Sequence, residues 1–164
     1  MKNFEFTEEI KTISLLFRTA TLHRIRAVEE FGLVKVGDLG GWIEKEENLS
    51  HEGKAWVRGN AVVCDNAEVF STKHVLVIGA IGSRDDFTTF YRDKENEITV
   101  KCGCFLGKMD KFLEKVTQTH GDSNYALVYR AAVEAARLQI DLSGEAPKNV
   151  RGGKTYVDGT MARE

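Results

Sequence analysis

The chain has 164 residues, 42% hydrophobic and 29% charged, with a formal net charge of −2. This suits one globular domain or two small ones and argues against disorder over most of the length. The charge balance offers no basic field for duplex nucleic acid, and no apolar run nears the roughly 18–20 residues that span a bilayer.

The first residues, Met1-Lys2-Asn3-Phe4-Glu5, lack the apolar core of a secretory signal. The three cysteines show no framework spacing. A cytoplasmic location is therefore expected.

Thr7-Glu8-Glu9-Ile10 reads as a helix start, a capping hydroxyl followed by first-turn carboxylates. Ile13 to Phe17 is an apolar run too short to type by period. Leu22 to Ala27 alternates like a strand. Val34 to Ile43 reads as strand, glycine turn and strand.

From Gly53 the chain falls into sixes. Alanine recurs at Ala55, Ala61 and Ala67, and valine at Val57, Val63, Val69 and Val75, with Ile81 in phase. An α-helix of 3.6 residues per turn drifts away from a strict period of six. Short strands joined by corners keep it, so a short β-helix is expected over 51–82.

Val75 to Ile81 reads as a buried strand, and 88–91 and 98–105 as two more, joined by the polar 92–97 connection. Met109, Phe112, Leu113 and Val116 share one face of a helix from Lys108 to Thr119, which Gly121 ends. A second helix runs from Asn124 to Ile140. The expected class is α+β: N-terminal strands and cap (1–50), a hexad β-helix (51–82), an α+β module (83–142) and a polar tail (143–164).

Several groups invite a chemical reading. Cys102-Gly103-Cys104 with His120 offers soft ligands suited to zinc. On a single strand the two sulfurs would share a face, and His120 or His51 would need a carboxylate or a second chain to complete the set. The plain alternative is a pair of small buried cysteines. Gly79 to Arg84 follows a strand, as an anion-binding loop would, with Gly82, Ser83 and Arg84 as contacts and Thr88 and Tyr91 near in sequence. No Gly-Lys-Ser/Thr follows, which excludes a nucleoside-triphosphate P-loop. Trp42 reads as a ligand wall or as the cap of a β-helix end. Glu44, Glu46 and Glu47 form an acidic run, and Arg24, Arg26, Lys54 and Arg58 are scattered cations.

The strings Leu22-His-Arg-Ile25, Gly37-Asp-Leu-Gly-Gly-Trp-Ile-Glu44 and Asn48-Leu-Ser50 resemble a family of uncharacterised phage and prophage proteins. The Gly-Asn-Ala-x-Val repeats belong to the same resemblance. So do Ile78-Gly-Ala-Ile-Gly-Ser-Arg84, Val100-Lys-Cys-Gly-Cys-Phe105 and His120-Gly-Asp122. The resemblance covers roughly residues 20–140 and implies a protein acting in a host bacterial cytoplasm. The function expected from it is a non-enzymatic binding protein that inhibits an antiviral defence system. CRISPR-Cas, or nucleotide signalling such as CBASS or Thoeris, would be the target. The protein would sequester a signalling nucleotide or occlude a host protein.

The alternatives are a degenerate hexapeptide-type acyltransferase, with His51 and His74 beside the repeats, or a phage structural or assembly protein. Open repeat ends and unpaired edges lead us to expect a homo-oligomer.

Overall fold

The structure is a computed structural model and describes residues 2–144. Among the described residues, two four-stranded sheets and two α-helices give the expected α+β class. The first sheet is ordered β1 (Phe4–Ser14), β2 (Thr19–Ala27), β3 (Leu39–Ile43), β4 (Val62–Val63). The second is ordered β5 (Val75–Ile81), β6 (Asp86–Arg92), β7 (Ile98–Cys102), β8 (Phe105–Lys108), followed by α1 (Met109–His120) and α2 (Asn124–Gln139). None of these helices is long and apolar enough to cross a membrane.

Residues 7–10 are strand, not helix. The Thr7 hydroxyl accepts the Glu9 N–H at 3.1 Å, inside a register shift of the β1–β2 pair between Phe6 and Ile10. A threonine side chain satisfies a nearby N–H in a bulge as readily as at a helix cap.

The hexad phase marks burial correctly: Ala55, Ala61, Val57, Val63 and Val69 are all within 1% of full burial. It does not produce the expected β-helix. Among the described residues, parallel pairing is limited to Trp42 with Val62, Ile43 with Val63 and the isolated bridge from Leu49 to Val69. From residue 53 to residue 70 the repeat segment is a coil laid against residues 39–50, with one two-residue strand, and its last phase positions lie on β5.

That contact explains two glycines. A Cβ at Gly40 would stand 2.6 Å from the Val57 carbonyl oxygen, and one at Gly41 2.8 Å from that of Ala61. Only bare backbone fits there.

The second sheet is the middle layer, which explains the unbroken apolar run of β5. Leu76, Ile78, Phe90, Ile98 and Val100 face the helices, while Val75, Val77 and Tyr91 pack into the core of the first sheet and repeats. The expected single strand over 98–105 is a hairpin, turning at Gly103 (φ +57°) between Cys102 and Phe105. The boundary drawn at 82 falls in the β5–β6 turn. The tail drawn from 143 lies outside the described residues beyond Gly144.

Candidate functional site

Parity along β6 decides what the glycine loop can recruit. Successive side chains on a strand point to opposite faces. Thr88 faces the helices, its hydroxyl 3.4 Å from the Cys102 sulfur. Tyr91 faces the other way, fully buried, and donates to the Cys64 carbonyl at 2.8 Å. These two residues cannot wall one ligand, and Tyr91 is core.

The loop itself is the turn of the β5–β6 hairpin, closed by Asp85 N–H to the Gly82 carbonyl at 3.2 Å. Ser83 and Arg84 are exposed, with the carboxylates of Asp85 and Asp86 adjacent in sequence. A strand-to-strand turn flanked by two acids is a poor cradle for phosphate. Gly82 is required for another reason: at φ +82° its Cβ would stand 1.9 Å from the Tyr129 hydroxyl oxygen. Burial pushes that hydroxyl up to about 12, and the Cys102 thiol lies 3.8 Å from it. His120 stacks on the Tyr129 ring with centroids 5.7 Å apart. Gly82, Cys102 and His120 thus gather around Tyr129 as packing partners, and Thr88 reaches Cys102.

Cys104 is exposed at the β7–β8 turn. With Cys102 and His120 it forms no three-ligand set among the described residues. The set that does converge is Asp93, Glu95 and Glu97. The Lys108 ammonium already sits among them, 2.7 Å from Asp93 and 3.0 Å from Glu97, where a metal would sit. Asp93 is fully buried. Burial alone would raise its pKa, but hydrogen bonds from Lys108 and Thr99 outweigh that and hold it below the usual carboxylate range.

Trp42 is half-buried beside Leu22, Val62 and Cys64, with the Lys11 ammonium 4.4 Å over its ring. It covers the flank of the coil rather than an open end. The scattered cations Arg24 and Arg26 are matched across β1–β2 by Glu9 and Glu5. His51 accepts the Asn3 N–H at Nδ1 and lies 3.2 Å from Glu46 at Nε2. His74 accepts the Phe70 N–H.

A concavity among the described residues lies elsewhere. The tip of the β1–β2 hairpin hangs over the edge of the second sheet, held by Leu16 N–H to the Cys104 carbonyl at 3.1 Å. Beneath it is a half-open cleft of about 360 Å³. Leu15, Leu16, Phe17 and Leu106 form its apolar side, and Arg18, Asp65, Asn66, Thr99 and Lys108 its polar side.

Arg18 is clamped by Glu44 at 2.8 Å and Asp65 at 3.1 Å. The Asn66 Oδ1 is shielded from solvent and has no hydrogen-bond partner among the described residues. Sequence reasoning missed this site because its walls come from three separated segments. Its one local signal is Leu15-Leu16-Phe17-Arg18, an apolar cluster placed on a turn.

No protein-family model matches the chain. A stretch of 83 residues is 29% identical to a protein of Escherichia coli strain K12 described as the uncharacterized acetyltransferase YdcK. The match covers 44% of this chain and 26% of the relative, so the chain spans about a quarter of that protein's length.

Proposed function

We propose that the chain is a non-catalytic binding protein and that its partner engages the cleft beneath the β1–β2 hairpin tip. The cleft carries this reading. Its volume of about 360 Å³ lies in the range of ligand pockets, and it pairs an apolar wall with a few fixed polar groups, as such pockets do.

The resemblance to phage and prophage proteins supplies the setting, inhibition of a bacterial antiviral defence system. Of the two modes expected there, occlusion of a host protein fits better than nucleotide capture. The glycine loop is a hairpin turn beside Asp85 and Asp86, and the two cations that line the cleft, Arg18 and Lys108, are already paired with carboxylates.

A fragment screen followed by amide chemical shifts tests the site. Perturbations should cluster on Leu15 to Arg18, Asp65, Asn66 and Leu106 to Lys108. Clustering on Gly82 to Arg84 would move the site to the hairpin turn.

Acyl transfer is the second reading, favoured by the match to the uncharacterized acetyltransferase. Against it, both histidines near the repeats already accept backbone N–H groups. Steady turnover of acetyl-CoA with an amine acceptor would establish that reading and displace the first. Self-association remains part of the proposal, with apolar surface at Leu127 and Leu138 of α2 to support it. Light scattering on the eluting protein should give more than the monomer mass of 18.4 kDa.

A further inference from the structure

Arg18, Arg24, Arg26 and Arg92 each meet a carboxylate. Arg58 meets none among the described residues. It lines another concavity, of about 110 Å³, which shares no residue with the cleft beneath the hairpin tip.

Two neighbouring parts of the chain build this concavity. Trp56, Arg58 and Ala61 lie on the repeat coil, and Thr72, Val75 and Val77 lie before and along β5. Val75 and Val77 are two apart on a strand and so present one face. Trp56 is held firmly. A Cβ at Gly40 would stand 2.7 Å from its ring, and Phe31 meets it edge-on with centroids 5.5 Å apart. A wall fixed before binding spares a ligand the cost of ordering it.

The polar capacity here is one-sided. No acidic residue lines the concavity. The Arg58 guanidinium, the Thr72 hydroxyl and the Trp56 indole N–H have no partner among the described residues. Guanidinium and indole can only donate. Ala61, Val75 and Val77 supply an apolar side. Free donors beside an apolar recess fit an anionic acceptor on an apolar stem.

A carboxylate presents two coplanar oxygens to a guanidinium and leaves its stem for the valines. Phosphate or sulfate would turn a further oxygen toward those valines, where no donor meets it. The volume admits a group about the size of three or four waters, which suits a short branched stem and excludes a long chain.

We propose that the Arg58 concavity is a second binding site, for a carboxylate on a short branched apolar stem. A small free acid or the C-terminal residue of a polypeptide would carry that chemistry. The carboxylate pairs with Arg58 and Thr72, and the stem lies on Trp56, Val75 and Val77.

The test is a titration of the full chain with isobutyrate, its neutral isostere isobutyramide, acetate and N-acetylvaline. The readout is the pair of tryptophan indole N–H resonances, because Trp56 lines the concavity and Trp42 does not. Isobutyrate should move the Trp56 signal saturably at millimolar concentration and leave that of Trp42 in place. Isobutyramide and acetate should each bind about tenfold more weakly. Tighter binding of N-acetylvaline than of isobutyrate assigns the ligand to a polypeptide C-terminus, and weaker binding assigns it to a free acid.

Arg58 is exposed, so Arg58→Gln should leave the unfolding midpoint unchanged while reducing isobutyrate to the affinity of isobutyramide. Equal binding of isobutyrate and isobutyramide, or isobutyrate binding untouched by Arg58→Gln, would overturn the carboxylate. Acetate binding as tightly as isobutyrate would overturn the apolar stem. A Trp56 signal that moves with no probe would overturn the site itself, and the reading of the cleft, which shares none of these residues, would stand apart from that result.

Discussion

His74 is 3% exposed and carries no charge in the folded chain at neutral pH. Burial, helped by the nearby Arg92 cation, lowers its pKa to about 4. The unfolded chain takes up this proton near pH 6.5, the folded chain only near 4, so between those values the unfolded state binds more protons. Stability from this group is complete above 6.5 and falls as pH falls, by about 2 kcal/mol at pH 5.

Urea titrations at pH 7.5 and pH 5 should show that loss. His74→Asn, whose Oδ1 can accept the Phe70 N–H in place of Nδ1, should nearly abolish it. Equal pH dependence in both proteins would remove His74 as the cause. None of this was legible in the sequence, where His74 is a polar residue in a repeat. Thr88 and Tyr91 show the same limit. Their nearness in sequence suggested one site, and only the parity of β6 assigns them to different layers.

Periodic elements read well and aperiodic ones did not. The two helices and β5 lie close to their expected bounds because an amphipathic stripe or an unbroken apolar run reports burial directly. Strand β1 is exposed along most of its length and gives no such signal. The hexads reported an interior without reporting its architecture, since valine every sixth residue is satisfied by any coil that turns at that spacing.

Gly41, like Gly40, is a place where that coil comes too close for a side chain. The Gly41 N–H bonds the Val57 carbonyl and the Trp42 N–H bonds the Ala61 carbonyl, so the neighbouring backbone cannot retreat from an added methyl. Gly41→Ala should cost about 1–3 kcal/mol, read as a lower urea midpoint with unchanged slope.

The knot at Asp93 sits at the same scale. Its carboxylate ties the 93–97 turn to β7 and β8 through Glu95 N–H, Glu97 N–H, Thr99 and Lys108. Lys108→Met would strand a buried carboxylate and should cost roughly 3 kcal/mol. Restoring most of the loss with Asp93→Asn in the Lys108→Met background would show that the stranded charge, and not the missing side chain, was responsible.

The segments drawn from sequence as 1–50, 51–82 and 83–142 meet in space along a polar seam. Tyr91 donates to the Cys64 carbonyl, and the Thr89 hydroxyl accepts the Val62 N–H. Glu68 N–H bonds the Arg92 carbonyl, and Lys94 N–H bonds that of Asn66. Arg92, 3% exposed, returns a bond to the Glu68 carbonyl at 2.8 Å. This seam, with the Leu16 N–H to Cys104 carbonyl bond, joins the two sheets that border the cleft.

Groups buried along such a seam lose their partners if one layer opens, and an unpaired buried donor or acceptor costs about 1–3 kcal/mol. Several together make independent opening unfavourable, so the layers should unfold as one unit. Trp42 and Trp56 both lie in the first layer and both helices beyond the second sheet. Tryptophan emission and helical circular dichroism therefore report the two halves separately. Their urea curves should superimpose in the native chain. Tyr91→Phe should lower the common midpoint by about 1–3 kcal/mol while the curves stay together. Curves that separate in the native chain would mean that the layers fold independently, and the cleft between them would then be a hinge with no fixed geometry.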